Sequence, residues 1–437
     1  DRSLLATRAA IQEDGSPGYD RATFLRCRRT PATPFLSVIP RTSQTHQRWL
    51  SLLPLGALAA FALWLSGPSA PAIPDALFVL TMGTALGVVL QRSRFCFFCM
   101  LRDYFEERDG RGLLGILAAL AVGSLGYLVI FGAWLPDPSG RYLPAGAHIG
   151  PVSWVLAAGG LLFGWGMALS GSCISAHLYR LGEGSVLAPV ALLGTVAGFG
   201  LGFLLWNRLY LLALHDAPTV WLPDHLGYGG SLGLQFLVLA GLFFLVRRRR
   251  PGPEANVEPG TSPAGDSLFH RVFLRRWSAW VGGIAVGWLG TMLYLRVEPL
   301  GVTAQVGSLA RRATDAAGLL PERLNGLDGF PGCATAVGES LLRANGLLVV
   351  GLVGGAFVAS LLAGQFQPER KHPLAFAAAL LGGVLLGLGA MLSLGCTVGT
   401  LLSGISAFAL SGWIFAASMT LGVATGLALR RRLFFWD

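Results

Sequence analysis

Residues Gly159 to Cys173 read GGLLFGWGMALSGSC, and residues Gly382 to Cys396 read GGVLLGLGAMLSLGC. Eight of the fifteen positions are identical, whereas chance in a chain rich in Gly and Leu gives roughly one or two. Each copy is an apolar run that carries glycines four residues apart and stops at a cysteine. Glycines at that spacing let helix backbones approach closely in a membrane. The pairs Gly160/Gly164 and Gly383/Gly387 are therefore read as packing faces, and the two runs as matching parts of two membrane repeats.

Composition supports the same class. Of 437 residues, 53% are hydrophobic and 13% charged, about half the charged share of an average soluble domain. Glycine, at 60 residues, is about double its usual share. The expected fold is an all-α polytopic membrane protein embedded in a lipid bilayer, and a soluble globular domain is excluded. The net charge of +10 is almost all arginine, Lys371 being the single lysine. These arginines fall in loops, where they set orientation, so a nucleic-acid partner is not expected. No GxxxxGK[ST] loop is present, which removes an ATPase of the chain's own.

Ten apolar segments of about membrane-crossing length are expected near 50–66, 76–92, 113–134, 152–170, 186–206, 231–246, 277–295, 346–364, 374–394 and 408–429. The first and sixth are the shortest. They divide the chain into a polar tail (1–46), a first transmembrane half (47–246), a basic linker (247–276) and a second half (277–437). The tail lacks the apolar core of a signal peptide and reads as a disordered cytosolic segment. With both termini cytosolic, the inner side receives Arg41, Arg48, the five arginines of 92–112 and Arg247 to Arg250. It also receives Arg271, Arg275, Arg276, Arg370, Lys371 and Arg430 to Arg432. The outer loops 135–151, 207–230, 296–345 and 395–407 are sparse or balanced in charge, as the positive-inside rule requires. Segments 2 to 5 and 7 to 10 then form two units five spans apart, so the second is inverted relative to the first. That places Cys173 toward the cytosolic side and Cys396 toward the outer side. Residues 94–106, 173–182, 303–315 and 396–406 read as short re-entrant helices, which membrane depth tolerates only where they line protein or water.

Six cysteines, Cys27, Cys96, Cys99, Cys173, Cys333 and Cys396, are too few and scattered for a disulfide scaffold. A single cysteine ending a span reads as a small buried hydrophobe. Two at equivalent repeat positions point instead to a shared role. A thiol is a weak donor with a soft sulfur, suited to a soft sulfur anion, and the adjacent Gly171, Ser172 and Gly395 offer backbone and hydroxyl donors to oxygens. Cys96 and Cys99 lie in QRSRFCFFCMLRDYF, residues 91–105. Their CxxC spacing fits thiol redox chemistry, but without a second CxxC or a His pair it does not fit zinc. Arg92, Arg94 and Arg102 are placed to attract an anion at the cytosolic mouth, and Asp103 is expected to pair with a neighbouring arginine. No metal, cofactor or catalytic residue is expected. Three readings remain: transport of a sulfur anion, a membrane thiol-disulfide oxidoreductase using Cys96 and Cys99, and a structural subunit with no solute path.

The element SRFCF…RDYF, followed by SGSC and LGC on later spans, resembles the YeeE/YedE family of bacterial sulfur-compound transporters over roughly residues 76–430. The resemblance implies an inner-membrane protein with an hourglass-like internal repeat. It implies uptake of thiosulfate, or of a related sulfur or selenium species, and a small cytosolic sulfur-carrier protein as partner. It carries the functional cysteines onto Cys96, Cys173 and Cys396, which would pass the anion along by transient thiol contacts. Cys99 and the long loop 303–345 depart from the family pattern.

Overall fold

A segment in lipid must satisfy its backbone polar groups internally, which leaves the helix as the local solution for a single apolar stretch. The computed structural model describes residues 44–68, 73–140, 142–248, 270–327, 330, 343–368 and 371–433. Most of the polar tail, most of the linker and Cys27 and Cys333 lie outside the described residues. Among those described there are helices and two isolated β-bridges, but no strand.

Helices α1 (Gln44–Leu50) and α2 (Leu52–Leu65) lead in. The first half follows as α3 (Ala76–Ser93), α4 (Phe97–Glu106), α5 (Arg111–Trp134), α6 (Trp154–Ser170), α7 (Ile174–Gly182) and α8 (Leu187–Leu209). After α9 (Leu222–Arg248) the second half runs α10 (Ala279–Arg296), α11 (Ala304–Ala316), α12 (Ala344–Leu362) and α13 (Pro373–Leu392). A π-helical turn, Thr397–Ser403, and α14 (Leu410–Leu433) complete it. Both halves thus run long, short, long, long, short, long, and all four stretches expected as short pieces are helical.

Among the described residues, nine stretches are long and apolar enough to cross a membrane, and they coincide with nine of the ten expected segments. The tenth is present as α10, but its four glycines, two tryptophans and Arg296 leave it short of the apolarity of a lone span. The sixth is longer than expected: α9 covers 27 residues because a polar, glycine-rich start joins the apolar run through a kink at Gly227 (φ 65, ψ 174). Gln235, buried on α9, donates to the Ile405 carbonyl at 3.0 Å and to Ser124 of α5, tying this helix to both halves.

The long helices pack across the halves: α6 on α13 and α14, α13 on α8, α3 on α12, and α5 on α10. Glycine makes these approaches possible. A Cβ on Gly164 would lie 2.7 Å from the Val423 nitrogen of α14, and one on Gly387 would lie 2.8 Å from the Phe199 nitrogen of α8. Gly160 and Gly383 are likewise closed in by α14 and α8. Between the two repeated runs, Gly159 faces Gly389 and Gly166 faces Gly382. The low-numbered end of one copy meets the high-numbered end of the other, so the copies cross antiparallel.

Candidate functional site

One local design recurs at three cysteines. Helix α3 ends at Ser93, Arg94 turns the chain through the left-handed region (φ 52), and extended Cys96 (φ −137, ψ 117) precedes α4. Helix α6 ends at Ser170, Gly171 takes the left-handed turn (φ 79), and extended Cys173 (φ −81, ψ 170) precedes α7. Helix α13 ends at Leu392, Leu394 makes the turn (φ 57), and extended Cys396 (φ −123, ψ −170) precedes the turn Thr397–Ser403. Each cysteine therefore stands at the head of a short helical piece, two residues after a chain reversal. The left-handed region costs a non-glycine residue roughly 1–2 kcal/mol, and Arg94 and Leu394 both bear it.

The two repeated runs also share their polar contacts. Ser170 Oγ donates to the Ser172 carbonyl at 3.1 Å, and Ser393 Oγ to the Gly395 carbonyl at 3.1 Å. His177 Nε2 lies 3.2 Å from Ser170 Oγ, and the equivalent Thr400 Oγ1 donates to the Ser393 carbonyl at 3.2 Å. A Cβ on Gly395 would stand 2.5 Å from Thr400 Oγ1, so that position has no room for a side chain.

Cys96 adjoins the thiols of Cys173 and Cys99. Cys173 bonds Ser175 Oγ at 3.3 Å and adjoins Thr397, the neighbour of Cys396. Cys396 accepts from the Val398 nitrogen at 3.4 Å and adjoins Thr303, the residue before α11. The resulting column runs Cys99, Cys96, Cys173, Thr397, Cys396, Thr303. Cys173 and Thr397, the neighbour of Cys396, thus adjoin, each at or beside the head of a short helical piece that follows a chain reversal. Cys96, Cys173 and Cys396 are free thiols and 0% exposed, so water does not touch their sulfurs in this conformation. Three buried hydroxyls along the column, Ser172 Oγ, Thr303 Oγ1 and Thr397 Oγ1, find no nitrogen or oxygen partner, although Thr303 and Thr397 lie against the Cys396 and Cys173 thiols.

The three expected arginines all hold protein partners, Arg92 the Phe273 carbonyl at 2.9 Å. Arg94 pairs with Glu183 at 3.3 Å, and Arg102 with Asp103 at 2.7 Å, the neighbour expected for it. The cation that does reach the column is Arg180, on α7, which donates to Cys99 Sγ and to the Gly171 carbonyl, both at 3.2 Å. Its signal in the sequence is its place seven residues after Cys173, two turns along the same short helix. Thr303 and Thr397 carry no such signal, since threonine is common in any polar break.

A family described as sulphur transport matches residues 92–425, from the first cysteine turn to the last helix. The chain belongs to this family. Within it, the chain is similar to the thiosulfate transporter TsuA of Spirochaeta thermophila, at 28% identity over 78% of this chain and 95% of that one. It is similar to TsuA of Escherichia coli at 24% identity, over 79% of this chain and 92% of the relative. A shorter likeness, 33% identity over 86 residues, links it to the probable transporter YedE of Escherichia coli. Sulphur-transport membership sets aside the oxidoreductase reading of Cys96 and Cys99: these are transport proteins, not enzymes.

Proposed function

We propose that the chain takes up thiosulfate, or a closely related small sulfur anion, across the bacterial inner membrane through a cysteine-lined path between two inverted repeats. The observation that carries this reading is the convergence of three short helical N-termini, each headed by a thiol. The N-terminus of a helix carries a partial positive charge of about half a unit and N–H groups that suit an anion. Discontinuous helices with such ends aimed at an anionic substrate are a recurrent transporter device. The thiols contact the soft terminal sulfur, the N–H groups and the hydroxyls of Ser172, Thr303 and Thr397 receive the oxygens, and no covalent bond breaks. Relatives named thiosulfate transporters match nearly their whole length, which supports the choice of solute.

The antiparallel crossing of Gly159 and Gly166 with Gly389 and Gly382 supports the inverted arrangement. The arginine-rich loops support cytosolic termini. An inside-negative potential opposes each negative charge by about 2.3 kcal/mol per 100 mV. Inward flow of a dianion therefore draws on a concentration gradient kept steep by cytosolic consumption, a task suited to a small sulfur-carrier protein.

The test is uptake of labelled thiosulfate into liposomes holding the purified chain, with sulfide, sulfite and selenium analogues as competitors. Cys173→Ala and Cys396→Ala are expected to abolish uptake while still reaching the membrane. Normal uptake by both variants sinks the proposal.

A further inference from the structure

Arg180 lies inside the stretch Trp154–Gly182, which is apolar enough to cross a membrane. It stands near the end of that stretch, on the short helix α7, and is half-buried. Its two terminal nitrogens reach two different structures: one holds the carbonyl of Gly171, the reversal that sets Cys173, and the other holds the Cys99 sulfur of α4. Cys99 is one turn beyond Cys96, on the same side of the helix, 5% exposed, and its thiol adjoins that of Cys96. The carboxylate nearest along α7, Glu183, is held by Arg94 and Gln91.

A thiol is a weak acceptor for a guanidinium, whereas an oxyanion meets the same planar fork with two charge-assisted bonds. The Cys99 sulfur thus occupies a position that an oxyanion would take in preference.

Resting on the transport reading above, we propose that Arg180 and Cys99 form a further anion station at the Cys96 end of the column. There the guanidinium holds the oxygen end of a sulfur oxyanion while the Cys99 thiol contacts its terminal sulfur. Arg180 is thereby assigned selectivity for doubly charged, oxygen-bearing sulfur anions over singly charged ones that lack oxygen.

The experiment compares the full-length wild type, Cys99→Ala, Arg180→Lys, Arg180→Gln, Cys173→Ala and Cys396→Ala in liposomes. It measures the half-saturating thiosulfate concentration and the competition by thiocyanate, with gel filtration confirming each preparation. Arg180→Gln is expected to raise the half-saturating concentration about tenfold or more, the scale of one lost charge-assisted bond. It is also expected to lower the preference for thiosulfate over thiocyanate, which general damage to the fold does not do. Arg180→Lys, which keeps the charge but loses the fork, is expected to fall between, and Cys99→Ala to weaken thiosulfate without changing that preference. If Arg180→Gln fails to fold, Arg180→Lys and Cys99→Ala decide. Wild-type concentration dependence and preference in those two, alongside an inactive Cys173→Ala, overturn the station and leave the transport reading standing. Full activity in Cys173→Ala, with Cys396→Ala active as well, removes the cysteine-lined path on which the station rests.

Discussion

Gly166→Ala tests whether the backbone seam between the repeated runs sets the geometry of the cysteines. A Cβ at this position stands 2.7 Å from both the Gly382 carbonyl oxygen and the Leu386 nitrogen. Real Cβ atoms do not come closer than 3.0 Å and ordinary contact begins at 3.4 Å, so α6 and α13 must part by 0.3 Å, and by 0.7 Å to restore ordinary contact. A gap of that size forfeits a quarter to a half of each facing dispersion contact, and overpacking of this kind costs about 1–3 kcal/mol. Helix propensity works the other way, since alanine gains up to about 1 kcal/mol over glycine. Gly241→Ala, on α9 with nothing within 4 Å of its added methyl, isolates that gain. The expectation is a melting temperature in detergent about 2–6 °C below that of Gly241→Ala. Uptake should fall by more than tenfold, because misplacing reacting groups by about 1 Å costs up to a hundredfold. A Gly166→Ala protein that melts with Gly241→Ala and transports at the wild-type rate refutes the reasoning.

Other consequences are as open to measurement. Gly171→Ala adds a side chain with nothing within 4 Å of it but at φ 79; the strain should cost about 1 kcal/mol or more, lower the melting temperature and impair uptake through Cys173. Gln235→Leu leaves the Ile405 carbonyl without its donor, and a loss of about 1–3 kcal/mol should appear as a lower melting point. For topology, Ser139→Cys should react with a membrane-impermeant thiol reagent in intact cells while Glu107→Cys is protected; the reverse pattern would invert the proposed orientation.

Much of the scaffold was legible because its cause is local. The glycines of GGLLFGWG and GGVLLGLG announce close backbone contacts, and α6 and α13 use them in that way. The short helices were visible because polar residues and cysteines interrupt long apolar runs. The partners of charged groups were hidden, because they are set by folding across long sequence distances: Arg94 meets Glu183, 89 positions away. Arg180 reaches Cys99, 81 positions away; its place two turns after Cys173 is visible in the sequence, but that partner is not. The column itself was half visible. Its cysteines stand out, but the reversal that carries Cys173 back to Thr397 depends on left-handed turns at Arg94, Gly171 and Leu394, and only glycine advertises such a turn.

The seam between α6 and α13 has a mechanical side. Where Gly159 and Gly166 meet Gly389 and Gly382, backbone lies on backbone, with the side chains of Ser170, Leu386 and Leu392 closing the contact. A small rock of the two helices would turn about the middle of the seam. From that midpoint to Ser170 is about seven residues, or roughly 10 Å of lever, so a rock of about 10° swings the helix tip, and the Cys173 turn fixed to it, by about 2 Å. That displacement is on the scale needed to part sulfurs now in contact, and the same motion acts on the Cys396 turn at the far end of the lever.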